Sequence, residues 1–307
     1  MNLALITLEQ VSMLFILILT GFVCGKTGVV TEDGKKVLSN LLVMIIMPAM
    51  VLNSYLSEFN PEVLSNLLLA FGLSTIAILI AMAVSFLLTL KMKSQNRTVI
   101  RFACSFSNAA YMGFPLIQAL FGAEGMIYAS AFVTMFNVIV WSVGYAMMSG
   151  EVKLREVLKS VGKNPVTYAV LLGLLLYLGR VPVPSVIQEP VRLVGSMTTP
   201  LSMMIIGIMI AGSRITSVLG NREVWFTVVT RLVLIPAVTF GLFYLLGVGG
   251  IVGSVILIQA ACPTAATTSV LAIQFHHDET VGAGTVVLST ICSIVTLTVF
   301  AMLIQVL

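Results

Sequence analysis

Apolar runs of about twenty residues recur from one end of this chain to the other, and they decide its fold class. In hydrocarbon every backbone N–H and C=O must find its partner inside the protein, so runs of this kind must be helices. Apolar residues make up 59% of the 307 residues and charged residues only 9%, with a mean hydropathy of +1.10. A soluble domain carries about 25% charged residues. The reading is an all-α polytopic membrane protein with no appended soluble domain, and its net charge of +4 reflects where loops sit against a membrane rather than nucleic acid.

Ten spans are read, at roughly 5–25, 37–57, 62–90, 98–120, 125–149, 164–180, 190–213, 223–246, 250–274 and 280–306. The first lacks a basic leader and a small-residue cleavage site, so it is expected to be a retained helix rather than a signal peptide. Cys24, Cys104, Cys262 and Cys292 all fall in apolar spans without a CxxC pair and read as small buried residues. Odd-numbered connectors hold 13 Lys and Arg, even-numbered ones hold two, and Arg231 lies within span eight. By the positive-inside rule the odd connectors are cytoplasmic and both termini extracytoplasmic, in the cell (inner) membrane.

An odd number of spans per half makes the second half enter the membrane inverted. Residues 1–149 form the first five-helix repeat, 150–163 a cytoplasmic connector and 164–307 the second repeat. Prolines mark the correspondence: Pro48 and Pro115 in spans two and four are 67 residues apart, and Pro200 and Pro263 in spans seven and nine are 63 apart. Paired interruptions in equivalent spans of two halves point to a transporter binding site.

The strongest interruption is Ser105-Phe106-Ser107-Asn108-Ala109-Ala110-Tyr111-Met112-Gly113-Phe114-Pro115-Leu116. Pro115 lacks an N–H, Gly113 frees the backbone, and Asn108 with the serines can satisfy released groups. The bland alternative is a proline-kinked helix with a packing role. A break near Asn108–Gly113 starts an outer half-helix near Pro115, and one at Ala260–Pro263 starts an inner half-helix near Pro263. Both N-termini then face the bilayer midplane with unpaired N–H groups and partial positive charge, which suits an anion without a buried lysine.

Substrate-binding candidates are Asn108, Met112, Gly113, Pro115, Gln259, Pro263, Thr264 and Thr267, with Asn53 and Asn137 as further polar groups. Thr264, Thr267, Thr268 and Ser269 add hydroxyls on the first turns after Pro263, against the common alternative of back-bonding to their own helix. Thr264 ranks first among them because it is nearest the break. For Asn53 and Asn137, hydrogen bonding between helices is the preferred role. Gln259, four residues before Pro263, faces the cavity or caps the broken turn. Arg231 is expected to snorkel to the cytoplasmic surface, the alternative being a counter-charge for substrate near the inner mouth. His276 and His277, adjacent in sequence, lack the further ligands a metal site needs.

No Asp or Glu lies mid-span, which disfavours coupling through a buried carboxylate. HExxH, GxSxG and P-loop patterns are missing, so neither an enzyme nor an ATP-driven pump is indicated, and no cofactor or metal is expected.

Asn108-x-x-x-Met112-Gly113-x-Pro115-Leu116 looks like the fourth-helix crossover motif of the auxin efflux carrier family, which includes plant auxin carriers and bacterial permeases for malate and malonate. Thr31-Glu32-Asp33-Gly34 through Leu38-Ser39 to Met47-Pro48-Ala49, Asn164-Pro165 and Pro263 are similar to that family as well. The resemblance implies ten helices in two inverted repeats with broken, crossing helices four and nine. It also implies a scaffold bundle, a transport bundle and elevator-type alternating access, with Asn108 contacting substrate. The short 150–163 connector departs from the long loop of the plant carriers and favours a prokaryotic-type member. The expected function is secondary transport of small organic anions, mono- or dicarboxylates or auxin-like acids, without strict sodium coupling. The alternatives are a sodium- or proton-coupled organic-acid symporter and a non-transporting membrane sensor. The expected partners are the anion and the lipid bilayer, with no nucleic acid; a homodimer is compatible with the sequence.

Overall fold

The computed structural model describes residues 3–56, 59–150, 165–212 and 218–304, and these are all helices and short connectors. Residues 151–164, which hold most of the expected cytoplasmic connector and Asn164, lie outside the described residues, as does Arg214.

The first half comprises α1 (Leu3–Lys26), α2 (Glu32–Leu41), α3 (Met47–Tyr55), α4 (Pro61–Thr89), α5 (Arg97–Ser105), α6 (Phe114–Ile139) and α7 (Tyr145–Ser149). The second comprises α8 (Pro165–Leu178), α9 (Ser185–Ser196), α10 (Thr198–Gly212), α11 (Arg222–Val229), α12 (Ile235–Leu245), α13 (Gly250–Ala261), α14 (Thr267–Gln274) and α15 (Glu279–Leu303). Connector side chains start several of them. Thr31 accepts from Gly34 N, Asn60 from Glu62 N, Asn221 from Glu223 N and Asp278 from Thr280 N, each satisfying an orphan N–H of a first turn.

Four single π-helical turns interrupt this series, at Leu42–Ile46, Ala109–Gly113, Val140–Gly144 and Thr230–Leu234. Three precede a proline by a few residues: Pro48, Pro115 and Pro236. A proline ring clashes with the carbonyl four residues back, here that of Met44, Tyr111 or Leu232. Each of those residues sits in the π turn, whose wider spacing accommodates the clash without ending the helix. Pro115 stands in the first turn of α6, directly after the π turn at Ala109–Gly113.

Spans four and five meet at Gly122, whose φ of 59° and ψ of −148° stop the helix within α6. A Cβ on Gly125 would lie 3.1 Å from Ile117 Cγ2. Residues eight apart in a straight helix are about 12 Å apart along the axis, so the chain doubles back here.

Among the described residues, six helical runs, several of them joining consecutive helices, are long and apolar enough to cross a membrane, and shorter apolar helices accompany them. Helices α1 and α10 pack most intimately. A Cβ on Gly207 would overlap the Ile18 carbonyl, and one on Gly21 the Met204 carbonyl, so only glycine permits this backbone approach. Helix α3 packs on α8 and α9. Around the two breaks gather α4 to α7 and α11 to α15.

Connector contacts sort by parity. Asn96 Nδ2 in the third donates to Glu223 Oε2, beside the seventh, at 2.8 Å. The ring of His277 in the ninth lies 2.9 Å from the Met148 carbonyl at the end of span five. Asn60 N in the second donates to the Tyr177 hydroxyl beside the sixth at 2.9 Å, and Arg180 stacks over Phe59 at 4.4 Å.

Candidate functional site

Two helices lose their regular hydrogen bonds at the same depth. Helix α5 ends at Ser105, Phe106 is extended, and the π turn resumes at Ala109. Helix α13 ends at Ala261, Cys262 is extended, and α14 resumes at Thr267. The extended pieces pair as an antiparallel bridge, Ser107 with Thr264. Asn108 N donates to the Pro263 carbonyl at 2.7 Å, and Ala265 N to the Phe106 carbonyl at 2.9 Å. Each break thus satisfies backbone groups of the other where no lipid can. Pro263 suits this role, because its carbonyl is used and its missing N–H is not needed. The breaks, at residues 106–108 and 262–266, overlap the expected ones near Asn108–Gly113 and at Ala260–Pro263, the first lying slightly earlier and the second extending slightly later.

Side chains complete the pairing. Thr264 N donates to Ser289 Oγ at 3.1 Å, and Thr264 Oγ1 to the Ala103 carbonyl at 3.2 Å. Arg231, on the π turn at Thr230–Leu234, is 1% exposed. Its Nε donates to the Cys262 carbonyl at 3.1 Å, one Nη to the Cys104 carbonyl at 3.0 Å, and the other Nη to the Ala260 carbonyl. It neither snorkels nor faces an inner mouth. It caps the negative, C-terminal ends of both half-helices, a use of arginine that spacing in span eight could not reveal.

A cavity of about 250 Å³ lies on the other side of the bridge, where the N-terminal ends of both resumed helices reach it. Ser107, Asn108, Ala109 and Ala110 line it from one break, and Ala265, Ala266 and Thr267 from the other. Neither helix start has a side-chain cap. Asn137 lines the cavity opposite, and the side-chain amides of Asn108 and Asn137 have no hydrogen-bond partner among the described residues. Thr267 Oγ1 is buried with no partner either. The remaining wall is apolar: Val43, Met47, Phe136, Val140, Trp141 and Val270 contribute to it, and among the described residues no Lys, Arg, Asp or Glu lines it. Three of the four π turns contribute lining residues.

Of the candidate residues, this cavity gathers Asn108, Asn137 and Thr267. Thr264 is fully buried and turned to Ala103, and Pro263 is held in the bridge. Met112 backs onto an apolar gap beside Ile18 and Leu297, and Pro115 is buried. Gly113 leaves room for Gln259, whose Oε1 a Cβ there would overlap. Gln259 Nε2 donates to the Ala129 carbonyl at 3.3 Å, and its Oε1 is unpartnered among the described residues. Asn53 lines a separate recess of about 330 Å³ with Gln118, Arg192 and Thr199. Neither Asn53 nor Asn137 bonds to another helix through its side chain among the described residues, in contrast to the bridging role preferred from sequence. A further recess, about 520 Å³ beside Tyr55, Tyr177 and Arg180, has no residue of either break in its wall. Sequence reasoning missed Trp141, Phe136 and Tyr111 as wall residues, since an aromatic in an apolar span carries no signal of which side it faces.

The family described as "Membrane transport protein" matches residues 6–159 and 151–301 of this chain. An uncharacterized transporter of Methanocaldococcus jannaschii is 24% identical over 304 residues, covering 94% of this chain and 96% of that protein. An uncharacterized transporter of Methanothermobacter thermautotrophicus is 24% identical over 295 residues, covering 94% and 95% respectively. With both halves matched, the chain belongs to this membrane transport protein family, the auxin efflux carrier family that its span-four residues resemble.

Proposed function

We propose that this multi-pass membrane protein is a secondary carrier of small organic anions, and that the cavity at the paired breaks holds the carboxylate. One convergence carries the reading: two uncapped helix N-termini, two unpaired asparagine amides and the unpartnered Thr267 hydroxyl meet in one cavity. Helix N-termini attract anions through free N–H groups and the helix dipole, so no buried lysine is required. The apolar wall favours a monocarboxylate with an apolar body over a dicarboxylate. A second carboxylate would sit against Val140, Trp141 or Val270 with no counter-charge among the described residues, and an unpaired charge there is costly.

Alternating access by an elevator-type movement is the mechanism that suits the packing. Helices α1, α3, α8, α9 and α10 form the proposed scaffold, and the helices around the breaks form the moving unit. The packing also supports ten spans in two inverted repeats. A shift of five spans turns the contact of α1 with α10, spans one and seven, into that of α8 with α3, spans six and two. The break pair of spans four and nine maps onto itself. Contacts between connectors of equal parity support the alternating topology, and the basic odd connectors make that side cytoplasmic. Val166, second residue of α8 after the cytoplasmic connector, lines the cavity, which therefore faces inward.

The test is counterflow of labelled indole-3-acetate, malate and malonate in proteoliposomes, with and without a sodium gradient. Saturable exchange of indole-3-acetate without sodium is expected. Uphill accumulation driven by sodium but not by potassium would replace this reading with a coupled symporter, and no exchange of any of the three would defeat the carrier reading.

A further inference from the structure

Arg231 is the one charged side chain buried among the described residues. Its guanidinium is bonded to three backbone carbonyls and to no carboxylate, and arginine keeps its proton in proteins. Among the described residues, the fixed positive charge at the crossover is therefore not cancelled by any acidic side chain. The other Lys, Arg, Asp and Glu residues described in α4 to α7 and α11 to α15 lie in connectors, in the first two turns of a helix or, for Glu124, just after the stop at Gly122 where spans four and five meet. Thr267 follows Cys262 by five residues, so the anion cavity and the guanidinium are separated by at most about 18 Å of extended chain.

We infer that Arg231 is the counter-charge that travels with the substrate, so that the unit loaded with a monoanion crosses the membrane with no net charge and the empty unit crosses with one positive charge. This rests on the carrier reading and on movement of the unit holding both breaks. It removes the need for a co-transported cation during exchange, in keeping with spans that hold no central carboxylate. Arg231 does not touch the substrate cavity, so it is a positioning and charge-balancing residue.

The test reads the effect of membrane potential on exchange. Proteoliposomes with labelled indole-3-acetate on one side and unlabelled on the other carry a tenfold potassium gradient, with and without valinomycin. A unit charge crossing that whole potential changes a rate by up to about tenfold. Wild-type exchange should be unaffected, because only the neutral loaded unit moves, whereas net efflux into substrate-free buffer should respond several-fold as the charged empty unit returns. Arg231→Lys keeps the charge and should keep exchange unaffected even where the lost fork lowers its rate. Arg231→Gln leaves the loaded unit negative, and its exchange should become sensitive by roughly two- to tenfold. Potential-sensitive exchange in the wild type overturns the inference whether or not the variants fold, and equal insensitivity in Arg231→Gln overturns it too. A wild type that exchanges no indole-3-acetate defeats the carrier reading, and this inference with it.

Discussion

Replacing Asn108 by alanine separates binding from folding at the crossover. The Asn108 side chain makes no hydrogen bond among the described residues, and its backbone N–H, bonded to Pro263 at 2.7 Å, is untouched by the change. Its φ of −79° and ψ of 53° lie close to the inverse γ-turn minimum, which alanine can adopt. Stability should therefore change little, with a melting shift under about 2 °C for a chain of this size. Binding should change much more. One hydrogen bond from a neutral donor to a carboxylate contributes about 1.5–3 kcal/mol, which corresponds to roughly ten- to hundredfold weaker affinity. Asn137→Ala, on the opposite wall, should behave the same way. The assay is indole-3-acetate affinity by isothermal titration, with melting temperature, on both purified variants. An Asn108→Ala protein that binds normally but melts early would refute the reasoning, because the amide would then be a structural group.

Further outcomes follow from the packing. Thr264→Val removes the donor to the Ala103 carbonyl at 3.2 Å and should cost about 1 kcal/mol of stability with affinity unchanged, read by melting and titration together. Gly207→Leu drives a side chain into the Ile18 backbone and should destabilise by about 1–3 kcal/mol or more, read as a lower melting temperature. Single cysteines placed at Asn2 and Leu307 should label from outside intact cells and one at Val157 should not; the reverse pattern would overturn the orientation.

Much of the fold was legible because lipid permits so few solutions. Apolar runs and basic connectors placed the helices, whereas the caps that start several of them, Asn60, Asn221 and Asp278, emerged only from the structure. The span-four break falls at the early edge of the stretch expected to hold it, because a π turn absorbs the Pro115 clash and Ser107 can pair with Thr264. That pairing joins residues 157 positions apart, and no local pattern encodes it. The candidate cavity was legible in part, as with Asn108, which lines it beside two helix starts. It was not legible for Thr264 and Arg231, whose partners are backbone carbonyls supplied by distant helices. Asn137 was a candidate for which bridging was preferred, because a deep asparagine ordinarily finds a helix partner; here it lines the cavity.

The most direct measurement uses Trp141 as a reporter of the cavity it lines. The chain has two tryptophans, and Trp225 is 40% exposed on α11, so Trp225→Phe leaves a single probe in the site. Phenylacetate, which does not absorb at the indole excitation wavelength, is titrated into the purified variant, and malonate is titrated separately and as a competitor. A saturable change of Trp141 emission with phenylacetate, weakened at least tenfold by Asn108→Ala and not displaced by malonate, is the predicted result. Saturation by malonate with no response to phenylacetate would contradict a monocarboxylate site at the paired breaks.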